Sequence, residues 1–184
     1  MTCGKNDFAC TRCRLSKGRT KVVPGTGRYS SPIVFIGEAP GREEDLKGEP
    51  FVGRGGKLLD KILMEAGVDR SEVFICNLVR CRPPDNRRPR KDEIETCSRF
   101  LESELETVKP KVVCALGQTV ANRLLGNKER MAELVKKDRL VNLGGVDVRL
   151  FVAYHPAACL YQRKNLSGFR KSVEASLEAA KLKR

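Results

Sequence analysis

Four short runs of apolar residues alternate with longer amphipathic segments along the chain. The runs are IVFIG (33–37), VFICN (73–77), VVCAL (112–116) and RLFVAY (149–154). They are rich in β-branched and aromatic residues and are bounded by turn or helix signals, which is typical of strands buried on both faces of a parallel sheet. The pattern therefore predicts four buried strands.

The segments between these runs carry apolar residues at helical spacing. The spacing predicts helices over 55–67, 89–109, 118–126 and 167–184. Strands that alternate with helices indicate a three-layer α/β/α fold with a central four-stranded parallel sheet. Because no repeat or linker interrupts the pattern, we expect residues 1–184 to form a single domain, with the first 30 residues as an irregular layer against the sheet.

The charge of the chain narrows the class of partner. The 36 Lys and Arg residues outnumber the 23 acidic ones and give a net charge of +13, which favours a polyanion such as nucleic acid. An aromatic content of 5% argues against a broad platform for stacking single-stranded bases. No apolar run reaches the roughly 18 residues of a membrane span, and the N-terminal residues lack a secretion signal. We therefore expect a cytoplasmic protein with no membrane contact.

Eight cysteines in a chain expected in a reducing compartment predict metal binding or burial rather than disulfides. Cys10 and Cys13 form a C-x2-C pair, and Cys81 and Cys97 lie in a later loop and helix. Four thiolates suit either structural zinc or an iron–sulfur cluster, and the spacing alone leaves both open. The other four have no predicted site role. They are Cys3, Cys76, Cys114 and Cys159.

Polar residues follow the predicted strands at their carboxyl ends, where ligands bind in open α/β sheets. The first strand runs into GEAPG with Glu38, the second ends at Asn77, and the fourth runs into YHPAA with His155, the only histidine of the chain. A core histidine would more naturally lie inside a strand or helix. The position of His155 therefore favours a functional role.

The chain resembles the iron–sulfur (family 4) uracil-DNA glycosylases. The blocks that carry the resemblance occur in the family's order and cover nearly the whole chain: CTRCRLSKGRTKVV, GEAPGREEDLKGEPFVGRGGKLL, NLVRCRPPDNRRP, LGQTVANRLLG and HPAA. The resemblance implies the uracil-DNA glycosylase fold and hydrolysis of the N-glycosidic bond of deoxyuridine in DNA, as a step of base excision repair. It also implies a [4Fe-4S] cluster that clamps the N-terminal segment through Cys10, Cys13, Cys81 and Cys97, with zinc as the runner-up.

Recognition of an extruded uracil assigns roles to three residues. Phe51, between glycines in GEPFVG, is the expected ring that stacks on the base. The side-chain amide of Asn77 can pair with N3–H and O4 of uracil, whereas cytosine would leave mismatched polar groups. By resemblance, Glu44 guards the face that a 5-methyl group would occupy and so excludes thymine.

The reaction assigns roles to the remaining site residues. His155 is expected to donate to uracil O2 as negative charge develops on the leaving group. Better-known relatives place an aspartate where this chain has Ala39, so Glu38 is the only carboxylate of this motif. We expect Glu38 to orient the attacking water; the alternative is that DNA phosphates support the cation-like sugar and water adds with little assistance from a base. The backbone around Ala39, Pro40 and Gly41 is expected to contact the base.

Basic residues near these loops are expected to hold single- or double-stranded DNA. The predicted contacts are Arg82, Arg87, Arg88, Arg163 and Lys164, with Arg80 and Arg90 in the same basic cluster. Leu160, or alternatively Tyr161, is the expected wedge that fills the vacated stack. We expect the protein to act as a monomer.

Two alternative functions stay open at this point. One is a related glycosylase with a broader range of deaminated bases, against which Asn77 and Phe51 argue. The other is an iron–sulfur or zinc module that binds nucleic acid without excising a base. A relative that traps DNA covalently through a histidine in an inserted loop is disfavoured, because 82–92 contains neither a histidine nor an insertion.

Overall fold

A mixed six-stranded sheet forms the centre of the protein in the computed structural model, which describes residues 8–182. The strands are β1 (Thr26–Gly27), β2 (Ile33–Gly37), β3 (Phe74–Asn77), β4 (Val112–Leu116), β5 (Arg139–Leu143) and β6 (Val146–Ala153). Their order across the sheet is β1-β3-β2-β4-β6-β5. The inner strands β3, β2, β4 and β6 are parallel, which confirms the predicted sheet, and β1 and β5 pair antiparallel at its edges.

Seven α-helices are present within the described residues. They are α1 (Arg42–Lys47), α2 (Arg54–Glu65), α3 (Lys91–Val108), α4 (Gln118–Leu125), α5 (Met131–Leu134), α6 (Pro156–Tyr161) and α7 (Leu166–Ala179). The four predicted helices correspond to α2, α3, α4 and α7, with ends shifted by a few residues. Three helices of four to six residues were not predicted, because so few residues show no helical periodicity. None of the helices described here combines the length and apolar character needed to cross a membrane.

Alternate residues of the strands pack into two separate hydrophobic clusters, one on each face of the sheet. In β2, Val34 and Ile36 belong to the cluster that contains α3 and α4 residues, whereas Ile33 and Phe35 belong to the cluster that contains α2 and α7 residues. Both faces are therefore covered, as a parallel sheet requires. Because both faces are covered, polar side chains of the inner strands lie at the carboxyl ends of these strands.

The N-terminal segment forms an irregular layer that is tied to the rest of the fold. A 3-10 turn at Arg14–Lys17 buries Leu15 in the cluster that contains α3. The carboxylate of Asp45, which is only 2% exposed, accepts hydrogen bonds from the backbone N–H groups of Thr20 and Lys21. This contact connects the segment to α1.

Arg80 is not part of the basic cluster that the sequence predicts at the DNA-binding surface. Its side chain is buried, pairs with Glu104 of α3 and lies over the Phe100 ring at 4.4 Å from the centroid. Glu104 also accepts a hydrogen bond from the Gly25 N–H. The buried pair therefore joins three segments of the chain and withdraws Arg80 from any surface contact.

Candidate active site

A cavity of about 440 Å³ opens at the carboxyl ends of β2, β3 and β6. All residues predicted to contact uracil line it: Glu38, Ala39, Pro40, Gly41, Glu44, Phe51, Asn77 and His155. They come from three separate strand ends, from α1 and from the loop that precedes α2. The fold thus brings together side chains that lie more than one hundred residues apart in the sequence.

The end of β2 lies very close to two side chains of the cavity wall. Gly37 pairs in register with Asn77, and a Cβ atom at position 37 would lie 2.4 Å from Asn77 Oδ1 and 2.5 Å from the Phe51 ring. A side chain there would displace one of the two. Glycine at position 37 therefore lets the amide and the ring share one end of the cavity.

Phe51 occupies a backbone conformation that bulky residues rarely adopt. Its φ is +55°, in the left-handed region, which costs roughly 1–2 kcal/mol for a residue with a Cβ atom. The ring is 7% exposed and packs with its centroid 6.1 Å from that of the His155 ring. Gly56 allows this arrangement, because a Cβ there would meet the Phe51 carbonyl oxygen at 1.7 Å.

The carboxylate of Glu44 holds two loops of the cavity together. Its Oε2 accepts from the Gly41 N–H at 3.1 Å, and its Oε1 accepts from the N–H groups of Val52 and Gly53 at 3.0 and 2.8 Å. Three backbone donors thus fix the orientation of this side chain. Because Pro40 has no N–H and that of Gly41 donates to Glu44, Ala39 is the residue of this turn whose N–H could serve a base.

Two buried oxygens in the cavity are left without protein partners. Glu38 Oε1 and Asn77 Oδ1 accept no hydrogen bond from any residue in 8–182. Burial raises the pKa of Glu38, and the positive charge of Arg88 acts in the opposite direction. A buried polar atom without a partner is costly, so these two atoms are suited to receive a ligand.

The imidazole of His155 caps α6 and has one defined tautomer. Its Nδ1 accepts a hydrogen bond from the Ala157 N–H at 3.2 Å, so the neutral ring carries its proton on Nε2. Burial lowers the pKa of His155 to about 4, while the nearby Glu44 carboxylate acts to raise it. The ring is therefore neutral at pH 7 and offers an N–H donor at Nε2.

Comparison with known proteins assigns the chain to a family. The model of the uracil DNA glycosylase superfamily matches residues 24–178. The chain belongs to the uracil DNA glycosylase superfamily. This confirms the family inferred from its motifs.

Several curated members of the superfamily are similar over most of their length. The chain is 43% identical to a type-4 uracil-DNA glycosylase of Saccharolobus solfataricus, over 90% of this chain and 81% of the relative. It is 42% identical to a type-4 uracil-DNA glycosylase of Thermotoga maritima, over 94% and 88%. It is 34% identical to a type-5 uracil-DNA glycosylase of Pyrobaculum aerophilum, over 85% and 72%.

The predicted DNA-binding residues of this superfamily member fall into two groups. Arg87, Arg88 and Leu160 line the cavity, whereas Arg82, Arg163 and Lys164 lie outside its lining. The Arg87 guanidinium is held by both oxygens of the fully buried Glu93, whose pKa falls to about 2. Arg88 is exposed at the mouth of the cavity. Tyr161 also lines the cavity and is 80% exposed.

The four cysteines with a predicted metal role surround one small cavity beneath the N-terminal layer. Cys10, Cys13, Cys81 and Cys97 line it together with Arg19 and Arg80. Cys81 Sγ accepts a hydrogen bond from Arg19 at 3.3 Å, and Cys97 Sγ accepts one from the Arg80 N–H at 3.4 Å. Within residues 8–182, no three His, Cys, Asp or Glu side chains are placed to hold a single metal ion.

Some residues that shape this glycosylase cavity had no signal in the sequence. Arg70 donates to the carbonyl oxygens of Pro50 and Phe51 and pairs with Asp60. No motif in the residues around position 70 indicates this role. Asp45 and Arg19 lie outside the lining of this cavity but likewise have no signal in the sequence, because their hydrogen bonds to Thr20, Lys21 and Cys10 form only in the folded chain. Cys76, Cys114 and Cys159 are buried, as expected for residues without a site role, and Cys3 lies outside the described residues.

The lowered pKa of His155 predicts a specific pH dependence of stability. Between pH 6.5 and 4 the unfolded chain binds a proton at His155 that the folded protein does not, so folding stability falls as the pH falls. His155→Asn keeps a good N-cap and removes this titration. In urea unfolding at a series of pH values, wild type should lose up to roughly 3 kcal/mol relative to the variant across this window.

Because His155 is the only histidine, no other imidazole contributes to this difference. The comparison with the variant removes the contributions to stability that both proteins share. Stability curves that run parallel from pH 6.5 to 4 would show that the folded protein does not hold His155 neutral.

Proposed function

We propose that the protein is a monofunctional uracil-DNA glycosylase that hydrolyses the N-glycosidic bond of deoxyuridine in DNA, releasing uracil and leaving an abasic site. The observation that carries this proposal is the convergence of Phe51, Asn77 and His155 on one cavity. The similarity to several type-4 uracil-DNA glycosylases over most of the chain supports it.

Asn77 is the group that we assign to reading the base. Its Oδ1 is buried and without a protein partner, so it can accept from uracil N3–H, while the amide NH₂ of the same plane donates to O4. Cytosine reverses donor and acceptor at these positions and would leave buried groups unpaired. Stacking on the Phe51 ring fixes the plane of the base.

Glu44 is assigned to the exclusion of thymine. A 5-methyl group cannot be rejected by attraction, so an immobile obstacle is needed. The three backbone hydrogen bonds on the Glu44 carboxylate hold it in place and support this role.

The bond that breaks joins N1 of uracil to C1′ of the sugar, and its electron pair leaves with the base. His155 Nε2–H donates to uracil O2 while the ring is neutral, which stabilises the developing anion in a water-poor cavity. Water then bonds to C1′ and its proton passes to the leaving uracil or to solvent. Glu38 orients this water, since its buried Oε1 has no partner within the described chain.

DNA containing uracil is the partner of this reaction. Arg88 lines the cavity together with Arg42 and Arg54, all three are exposed, and they can meet phosphates beside the extruded nucleotide. Arg82, Arg163 and Lys164 extend the basic surface outside the cavity. Arg87 contributes by ordering the loop through Glu93.

Leu160, or the more exposed Tyr161, fills the gap left in the stack. The monomeric state and the cytoplasmic location stay predictions from the sequence.

We also propose that Cys10, Cys13, Cys81 and Cys97 hold a [4Fe-4S] cluster. Four thiols around one cavity fit such a group, and the guanidinium of Arg80 keeps two buried nitrogens without a partner in the described structure. The two N–H···S hydrogen bonds are of the kind that stabilise cluster thiolates. When bound, the cluster would supply a covalent brace between the N-terminal layer and the loop that carries Arg82, Arg87 and Arg88.

A uracil-release assay tests the proposed activity directly. A labelled oligonucleotide with one deoxyuridine should lose its base under single-turnover conditions, and matched thymine and cytosine oligonucleotides should remain intact. His155→Ala should lower the rate on the order of 10²–10³-fold, because it removes the donor to the leaving group.

Three outcomes would contradict this assignment. DNA binding without release of uracil would indicate a nucleic-acid-binding module. Comparable release of deaminated purines would indicate a broader glycosylase. Full activity of His155→Ala would remove the histidine from the reaction.

The pH profile of excision tests the role of Glu38. Because the ionised carboxylate orients water, the rate should fall as the pH drops through the raised pKa of Glu38. Arg88→Gln removes the positive charge that lowers this pKa and should shift the acidic limb to higher pH. The measurement is the single-turnover rate at saturating protein from pH 4.5 upward.

Arg82→Gln is the matched control, because this substitution removes the same charge from the same loop. The Arg82 side chain donates to Asn86. Its acidic limb should coincide with that of wild type. If Arg88→Gln gives the same limb as Arg82→Gln, Arg88 does not act on Glu38.

Iron analysis tests the cluster. Anaerobically purified protein should be brown and contain about four iron atoms per chain, and Cys97→Ser should lose iron and the visible absorption band. Cys114→Ser, a buried cysteine of β4, is the control and should keep both. A stoichiometry of one zinc per chain would overturn the cluster in favour of a structural zinc site.

A further inference from the structure

We propose that Arg70, oriented by Asp60, is a positioning residue that sets the orientation of the Phe51–Val52 peptide and thereby holds the Phe51 ring in place to stack on the base. This inference rests on the proposed function, which assigns the stacking role to Phe51. Neither Arg70 nor Asp60 is among the residues that line the cavity. Their action is therefore exerted from behind the cavity wall.

The guanidinium of Arg70 contacts two consecutive carbonyl groups. Nη2 donates to the Pro50 oxygen at 2.5 Å, and Nη1 donates to the Phe51 oxygen at 3.2 Å. Nη1 also donates to Asp60 Oδ1 on α2 at 2.5 Å. A planar group with several donors can hold such an arrangement, whereas a lysine ammonium cannot match its geometry.

The peptide unit between Phe51 and Val52 is held at both of its edges. Its oxygen accepts from Arg70, and its N–H donates to Glu44 Oε1 at 3.0 Å. Gly56 also lies against the same oxygen. A rotation of this peptide would break both hydrogen bonds, so the pair of contacts selects one orientation.

Phe51 needs such support because its backbone is in the left-handed region, with φ at +55°. A residue with a Cβ atom keeps this conformation only where its surroundings impose it. Without Arg70, the loop gains access to extended conformations that would move the ring away from Asn77 and His155. The cavity would then lose its stacking wall while the sheet below stays intact.

Arg70→Met removes the donors and keeps an unbranched side chain, so it tests this inference. The variant should raise the inhibition constant for free uracil on the order of tenfold and lower the single-turnover rate similarly, because both require the ring in place. Its affinity for an undamaged duplex should equal that of wild type, because the phosphate contacts are not touched. Amide hydrogen exchange over residues 50–54 should become faster, while α2 beyond its first turn keeps its protection.

Matched variants separate positioning from general destabilisation. Arg149→Met breaks an exposed pair with Asp138 away from the cavity and should match wild type in every measurement. Arg70→Lys should recover only part of the uracil affinity, and Asp60→Asn should change it in the same direction as Arg70→Met. If Arg70→Met does not fold, these two variants carry the test.

The outcomes distinguish the two proposals. If wild type releases uracil and the Arg70 and Asp60 variants keep its uracil affinity and exchange pattern, the inference is wrong and the proposed function stands. If the undamaged-duplex affinity falls as much as the uracil affinity, Arg70 acts on the whole protein and the inference is also wrong. If wild type releases no uracil from DNA, the proposed function fails and the inference falls with it.

Discussion

The close approach of the backbone at the end of β2 to Asn77 and Phe51 is the constraint on which the cavity depends. Gly37 and Asn77 are partners in adjacent parallel strands, and the Phe51 ring lies against Gly37. Any side chain at position 37 would occupy the space of the amide or the ring. Gly56 imposes the same condition on the far side, against the Phe51 carbonyl. The position of the site therefore depends on two glycines, one at the end of β2 and one in the first turn of α2.

The site keeps several features that lower stability. Buried oxygens of Glu38 and Asn77 have no partner among the described residues, and Phe51 has a strained backbone. An unsatisfied buried group costs roughly 1–3 kcal/mol. Such features persist where the surroundings impose them, and here a sheet covered on both faces lies directly below. The strain and the unpaired atoms are located where a ligand would use them.

The sequence predicted the parts of the fold whose signal is local. The inner strands are continuous β-branched runs, and the long helices have a clear apolar stripe. By contrast, β1 has two residues and β5 has a half-exposed alternation, which are weak signals. The short helices α1 and α6 begin where Glu44 bonds to Gly41 and where His155 bonds to Ala157. Those contacts are set by individual side chains, not by a periodic pattern.

Site residues that directly follow a predicted strand could be predicted from the sequence. Residues whose role depends on tertiary contacts could not. Glu38, Asn77 and His155 each follow a recognisable strand, so their convergence follows from the parallel sheet. Composition cannot distinguish Arg80, Arg87 and Arg88, which lie within one loop. The fold buries the first against Glu104 and fixes the second on Glu93. Only the third remains exposed at the cavity.

Because some arginines are paired inside the fold, the net charge of +13 overstates the positive charge that is available at the cavity. Arg70 and Arg80 meet Asp60 and Glu104, so these charges are largely compensated within the fold and act by holding loops. The field that a phosphate meets at the cavity mouth then comes from exposed residues such as Arg88, whose charge also favours the ionised form of Glu38. With the DNA contact proposed for Arg88, one exposed cation serves both a phosphate and the Glu38 carboxylate. Binding of a phosphate there would partly neutralise the charge of Arg88 and so raise the proton affinity of Glu38. Contact with DNA would thereby be coupled to the protonation state of Glu38, the residue proposed to orient the attacking water.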